Sequence, residues 1–257
     1  MREPAVLTWP EGNNFLARKL KASYEGKIRT NSLVYSIEPI ESGVHIDYFD
    51  PITNSSKRIK AKKCIVCTPQ FVNKRIIKNR AVKYENAYDQ FSYSPWMIAN
   101  LTMKPLDERN GRPLSWDNVF YNSESLGYVN ATHQLPQQVF GARNLTYYLP
   151  LTGGDSKAER VKAASLTHED WCKLVIADME KVHPGIEPLI AEINVTLWGH
   201  SMVQPLPGFL FGEPRKELAQ SIDNSIHFAH TDIAGISIFE EAFYQGINAA
   251  EKVIENL

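Results

Sequence analysis

The sequence predicts a mixed α and β fold, and three stretches carry that prediction. Residues 27–69 hold three segments of β-branched and aromatic alternation, KIRTNSLVYSIEPI, GVHIDYFD and SSKRIKAKKCIVCTP, separated by the turn sequences ESG and PITNSS. Residues 167–183 read as a helix with its own start and stop signals. Residues 227–254, HFAHTDIAGISIFEEAFYQGINAAEKVI, run from a short apolar strand through a small-residue loop into a long amphipathic helix.

In chain order, EGNNFLARKLKASY (11–24) predicts a helix capped by Gly12 or Asn13, with Phe15, Leu16, Leu20 and Tyr24 on one face. The three strand-like segments follow as an antiparallel meander. The last ends in CIVC, a continuous apolar run of the kind buried on both faces, and Thr68-Pro69 breaks it. YSPWMIANLTMKP (93–105), GYVNAT and NLTYYLPL add further strands. Thr167 caps the next helix with Asp170 three residues on, a capping box. Trp171, Leu174, Val175, Met179 and Val182 form its stripe, interrupted by Asp178, and Pro184-Gly185 stops it. IAEINVTLWGH (190–200) returns as a strand. QPLPGFLFGEP is a loop, ELAQSI a short helix and SIHFA a buried strand. In the final helix Phe239, Ala242, Phe243, Gly246, Ile247, Ala250, Val253, Ile254 and Leu257 share one face, the clearest periodicity in the chain.

The 257 residues suffice for one large or two modest domains. Hydrophobic residues at 43% and charged residues at 22% describe an ordinary folded protein. A formal net charge of −1 removes the electrostatic case for nucleic acid or an anionic membrane. No apolar run approaches the roughly 18–20 residues of a membrane span. Three cysteines, Cys64, Cys67 and Cys172, make no disulfide framework, so a cytoplasmic location is expected. Cys64 and Cys67 form a C-x-x-C without a second pair, and the seven histidines lack ligand spacing. Packing explains these residues better than a metal, and no metal site is expected. No G-x-S-x-G or H-E-x-x-H occurs, which argues against hydrolases of those types.

The strand–loop–helix at 226–257 has a chemistry of its own. Such a junction makes a crevice at the strand's carboxyl end. The first N–H groups of the helix, near Ile238 and Phe239, lack intrahelical partners and sit at the positive end of the dipole. They favour a phosphate or any group gaining negative charge. Asp232 is able to accept hydrogen bonds from sugar or ribityl hydroxyls. On this physics alone, a plain βα unit with Asp232 capping a turn explains the stretch as well.

FAHTDIAGISIFEEAFYQGINAAEKVI resembles the C-terminal flavin-binding signature of the flavin-containing amine oxidase superfamily, which includes phytoene desaturase-like enzymes. Further segments agree in order: TWPEGNNFLARKL resembles the family's Pro-x-Gly-Gly helix start, IRTNSLVYSIEP the strand beside the adenine, and KKCIVCTP the strand ending in Ala-Thr-Pro. LTHEDW, HPG and VTLWGHSMVQPLPG resemble the stretch closing the substrate domain. The resemblance implies a partial FAD-binding domain with an antiparallel meander (1–70 and 216–257) and a mixed-sheet substrate domain with flanking helices (71–215). It implies an FAD-dependent oxidoreductase passing a hydride from a small-molecule substrate, an amine or an apolar compound, to flavin N5. By position, Val34 would touch the adenine, Thr231 and Asp232 the ribityl–pyrophosphate portion, and the backbone of Ile238 and Phe239 the flavin C2 carbonyl. Trp96, Trp198 and Phe209 are candidates for lining the substrate cavity, with core packing as their alternative.

The chain departs from the family in three places. The GxGxxG unit that holds the FAD pyrophosphate is not found among the 14 glycines, so the chain is expected to begin inside the family pattern and to bind FAD weakly or not at all alone. An apolar face is then expected where that unit would pack, available for association. His230 stands where the family has Gly. Where many amine oxidases place a Lys beside flavin N5, this sequence has Met97, Ile98, Ala99 and Asn100, with Lys104 too late, so no catalytic acid or base is identified. The rival expectation is a non-catalytic interaction module built on the same scaffold.

Overall fold

The computed structural model describes residues 9–24, 26–105, 115–131 and 142–256. The chain forms two compact units, one from residues 1–24 and 93–201 and the other from residues 25–92 and 202–257. In this division residues 71–92 and 202–215 group with the second unit, and the N-terminal helix with the first.

In the second unit, β1 (Leu33–Ile40), β2 (Gly43–Asp50) and β3 (Ser55–Ala61) form the expected antiparallel meander. Gly43 must be glycine: its φ is +136° and a Cβ there would stand 2.2 Å from the Ala61 carbonyl oxygen. Ile37, Val44 and Tyr48 turn inward, with Ile46 beside them. On the outer strand Arg58 pairs with both oxygens of Asp47, at 2.6 and 2.8 Å. A separate two-stranded parallel sheet joins β4 (Cys64–Val66) to β10 (Ile226–Phe228), in register Cys64↔Ile226 to Val66↔Phe228. Two short helices follow β4, α2 (Gln70–Ile76) and α3 (Val82–Tyr88), where sequence periodicity gave no signal. Both are seven residues, too short to show a stripe. They pack with α6 (Glu213–Leu218) around Ile77, Tyr84, Leu218, Ile222 and Ile226.

The CIVC run is not buried on both faces. Val66 is buried, Cys64 half-buried and Ile65 exposed, because among the described residues only one strand pairs with β4. The final helix, α7 (Phe239–Glu255), forms as predicted, but its apolar stripe is not its packed face. Phe243 is 46% exposed, Ile247 42% and Ile254 70%. Ala249 is the buried residue, and the half-buried Gln245 and Asn248 lie with it over Phe228, Ile233 and Ala219. Leu257 lies outside the described residues.

His227 sits in β10, 1% exposed, with Nδ1 2.8 Å from Ser221 Oγ. Burial, and then the positive charge of Lys63, push its pKa below the usual value of 6.5. The unfolded chain therefore binds a proton that the folded chain refuses. Its stabilising contribution is present above about pH 6.5 and is lost as pH falls from there through the lower folded-state value. In urea titrations at neutral and mildly acidic pH the wild-type midpoint is expected to fall on acidification, and that of His227→Gln to fall less.

In the first unit, α1 (Asn14–Ala22) forms with Asn13 at its N-cap, but no side chain caps it and none of its residues is buried. The expected face stays open, with Leu20 and Tyr24 exposed. The core is a five-stranded sheet in the order β6 (Asp117–Asn118), β7 (Tyr128–Asn130), β8 (Arg143–Pro150), β5 (Tyr93–Met103), β9 (Ile190–Val203). The pairs β6–β7, β7–β8 and β8–β5 are antiparallel. Alternate residues of β5 and β8 point into one core: Met97, Ala99, Leu101, Leu145, Tyr147 and Leu149 meet Trp171, Val175 and Met179 of α5 (His168–Val182). The capping box on α5 is complete, with Asp170 N donating to Thr167 Oγ1 and Thr167 N to the Asp170 carboxylate. α4 (Ser156–Ser165) precedes it, and its N-cap Asp155 accepts from the backbone of Lys157 and Ala158. This cap was legible in the sequence and was missed.

Asp178, the polar residue in the α5 stripe, is buried for a reason. Its Oδ2 accepts from Ser123 Oγ at 2.7 Å, Ser125 Oγ at 2.8 Å and Tyr147 OH at 2.9 Å. Burial works to raise its pKa. The hydrogen bonds from Ser123, Ser125, Lys181 and Tyr147 together overcome this and hold it below the usual carboxylate value.

Candidate functional site

The parallel pair β4–β10 organises the strongest candidate. Both strands end in the same direction, so the turns that follow them lie side by side, the geometry of a crevice at strand carboxyl ends. After β4 the chain passes Thr68-Pro69 into α2. After β10 it passes His230 into a one-turn 3-10 helix, Thr231–Ile233, then Gly235, then α7.

Asp232 ties the two turns together. It is 2% exposed. Its Oδ2 accepts from the backbone N–H of Gln70, the first residue of α2, at 2.8 Å. A carboxylate at that place satisfies a helix donor and meets the positive end of the dipole. His230 supports the same turn, its Nδ1 lying 3.1 Å from Asp232 N and 3.2 Å from Asp232 Oδ1. Thr231 is half-buried, and its carbonyl accepts from Ala234 N and Gly235 N.

Arg215 of α6 clamps this turn to the preceding loop. Its Nε donates to Leu210 O and its Nη1 to Ile233 O, both at 2.6 Å. Neither Gln70 nor Arg215 was picked out from sequence. Gln70 lies 162 positions from Asp232, and a partner at that separation leaves no local pattern.

The start of α7 is open. Ile238, its N-cap, is extended at φ −126° and ψ 158°, is 48% exposed, and provides no side-chain cap. Ala242 N is the first to close back, onto Ile238 O at 3.2 Å. Glu240 and Glu241 fill the first turn, where carboxylates are favoured by the dipole. These donors fit a group that gains negative charge. Asp232 fits less well as a hydroxyl acceptor, since one oxygen is committed to Gln70 and the other lies against His230.

Val34 is half-buried on β1, opposite Tyr48, at a strand irregularity between Val34 and Ser36, and it packs against the core of the second unit. The three aromatic candidates do not behave alike. Phe209 is buried in the second unit, edge-on to Phe91 at 4.8 Å between centroids. Trp96 is half-buried in the first unit and stacks on Tyr148. Trp198 is exposed on β9. Among the described residues no three or more His, Cys, Asp or Glu side chains gather as a metal site, and no helix is long and apolar enough to cross a membrane.

Comparison with known proteins fits this geometry. No curated protein matches the chain. Among solved structures, a putrescine oxidase redesigned in its cofactor binding superposes with a TM-score of 0.71 at 14% identity, covering 96% of this chain and 53% of that one. Cyclohexylamine oxidase from Brevibacterium oxydans does so with a TM-score of 0.61 at 16% identity, covering 87% of this chain and 48% of that one. At these identities the likeness is one of fold, and the chain spans about half the length of these solved relatives. The sequence profile described as flavin containing amine oxidoreductase matches residues 2–254. By that match, which takes in both units and the whole β10–α7 junction, the chain belongs to the flavin containing amine oxidoreductase family.

Proposed function

We propose that the chain forms the C-terminal part of an FAD-dependent oxidoreductase of the amine oxidase type, acting on an amine or an apolar small molecule. The observation that carries this reading is the uncapped, exposed start of α7 directly beyond the carboxyl end of β10. FAD would supply the redox chemistry, accepting a hydride at N5. The N–H groups at Phe239 and the following residues would stabilise the negative charge that accompanies reduction. Val34 would meet the adenine, and Thr231 with Asp232 the ribityl–pyrophosphate portion. Three free cysteines support a reducing, cytoplasmic setting.

The dinucleotide-binding unit is the partner that the surface favours. A parallel pair of three-residue strands is not stable by itself, parallel sheets are covered on both faces, and Phe243, Ile247 and Ile254 of the α7 stripe are exposed. A βα unit extending the β4–β10 sheet would cover that stripe. The test is an FAD titration followed by flavin fluorescence and absorbance. The chain alone is expected to bind weakly or not at all. With a GxGxxG-containing unit supplied in fusion or in trans it is expected to form a yellow, stoichiometric complex. Colourless protein in both arms overturns the proposal.

A second reading, a non-catalytic interaction module, draws support from His230. Its side chain stands where the family has Gly, and the Asp232 carboxylate beside it is engaged inside the protein. The same titration separates the two readings.

A further inference from the structure

The second unit holds a cleft of about 200 Å3 beside α7. It lies on a different flank of that helix from the exposed Phe243, Ile247 and Ile254. Its floor is apolar, made by the buried Phe228 of β10, Ile233 of the turn that follows, and Ala249 of α7. Two side-chain amides line it above this floor, those of Gln245 and Asn248, both half-buried. They stand three positions apart on α7, so helical spacing sets them side by side. Among the described residues neither amide is hydrogen-bonded to another protein group. The outer part of the cleft is lined by the exposed Glu251, Lys252 and Glu255.

These features select a ligand by size, shape and hydrogen bonding. Pockets for drug-sized molecules run from roughly 300 to 1,000 Å3, so this one suits a smaller body. A cavity of about 150 Å3 takes benzene, and a six-membered ring with one small substituent therefore fits here. Phe228 offers ring surface, which favours a planar aromatic body over an alkyl chain. Each side-chain amide carries a carbonyl acceptor and an NH2 donor. Two of them together are satisfied best by a group that has both, and a carboxamide has both. A carboxylate brings acceptors only and meets Glu251 and Glu255 as like charges. An ammonium brings donors only and leaves both NH2 groups without an acceptor.

We propose that this cleft binds an aromatic carboxamide, with its ring on Phe228 and Ile233 and its amide between Gln245 and Asn248. The site lies wholly within the second unit and does not rest on the flavin reading.

The test is a ligand-observed NMR titration of the purified chain with benzamide, with benzoate and benzylammonium as controls of similar size and opposite charge. Benzamide is expected to bind saturably and both controls more weakly. Gln245→Leu and Asn248→Leu are each expected to weaken benzamide roughly two- to tenfold, the worth of one neutral hydrogen bond. Leucine forms helix as readily as glutamine and more readily than asparagine, so both variants are expected to fold, which circular dichroism checks. Benzoate or benzylammonium binding as tightly as benzamide, no saturation by benzamide, or an unchanged benzamide affinity in either folded variant overturns the proposal. The readout uses no flavin, so a failed FAD titration and a failed benzamide titration are separate results.

Discussion

Asp178→Ala is expected to destabilise the chain by about 3 kcal/mol, read as a lower urea midpoint. The substitution takes the shared acceptor from three hydroxyls, those of Ser123, Ser125 and Tyr147, which now converge on one carboxylate oxygen, and leaves Ser123 and Ser125 only each other. Ser125 and Tyr147 are buried and cannot turn to water. Lys181 contributes less, because its ammonium is largely exposed and its ion pair is screened. Asp178→Asn keeps an acceptor and is expected to cost about half as much. The network fixes the segment before β7 to α5, and Gly127 completes it. Its amide donates to Ser125 Oγ, and a Cβ there would stand 1.9 Å from Asn118 O. The pH dependence has a definite sign. The folded-state pKa of Asp178 lies below the usual value, so its contribution is present above about pH 4 and is lost as pH falls through the lower folded value.

Asp232→Ala is expected to cost about 2 kcal/mol, because the N–H of Gln70 loses its acceptor in a site closed to water. Asp232→Asn, which keeps one acceptor, is expected to cost less. The variant also separates two roles for this residue. If Asp232 latches the two turns, thermal stability falls whether or not FAD is present. If it serves only a ribityl hydroxyl, stability without FAD is unchanged and only the affinity for FAD falls. The geometry favours the latch, so the measured loss is expected in the chain alone.

Much of the fold was legible in the sequence because its signals are local. The ESG and PITNSS turns placed the meander, Thr167 with Asp170 placed the start of α5, and a 3.6-residue period placed α7. The seven-residue α2 and α3 carried too few turns for periodicity to register. The residues of the β4–β10 crevice were legible only in part. Thr231, Asp232, Ile238 and Phe239 follow one strand and share one short segment. Gln70 and Arg215 enter from elsewhere in the chain, Gln70 through its backbone N–H and Arg215 through a guanidinium that meets the backbone carbonyl of Ile233, pairings with a backbone atom that has no sequence signature.

The sequence by itself determined which side chains share a helix or strand face, since that follows from the fixed periods of 3.6 and 2. Only the tertiary structure decided which way each face points and what it meets. Asp178 read as a flaw in an apolar stripe and proves to be the hub of a buried hydroxyl network. The stripe of α7 followed from its period alone, and Phe243, Ile247 and Ile254 on it stay exposed while Ala249 at its flank is buried. The physical reason is that amphipathicity is a property of one segment, whereas burial is decided by the surfaces that meet it.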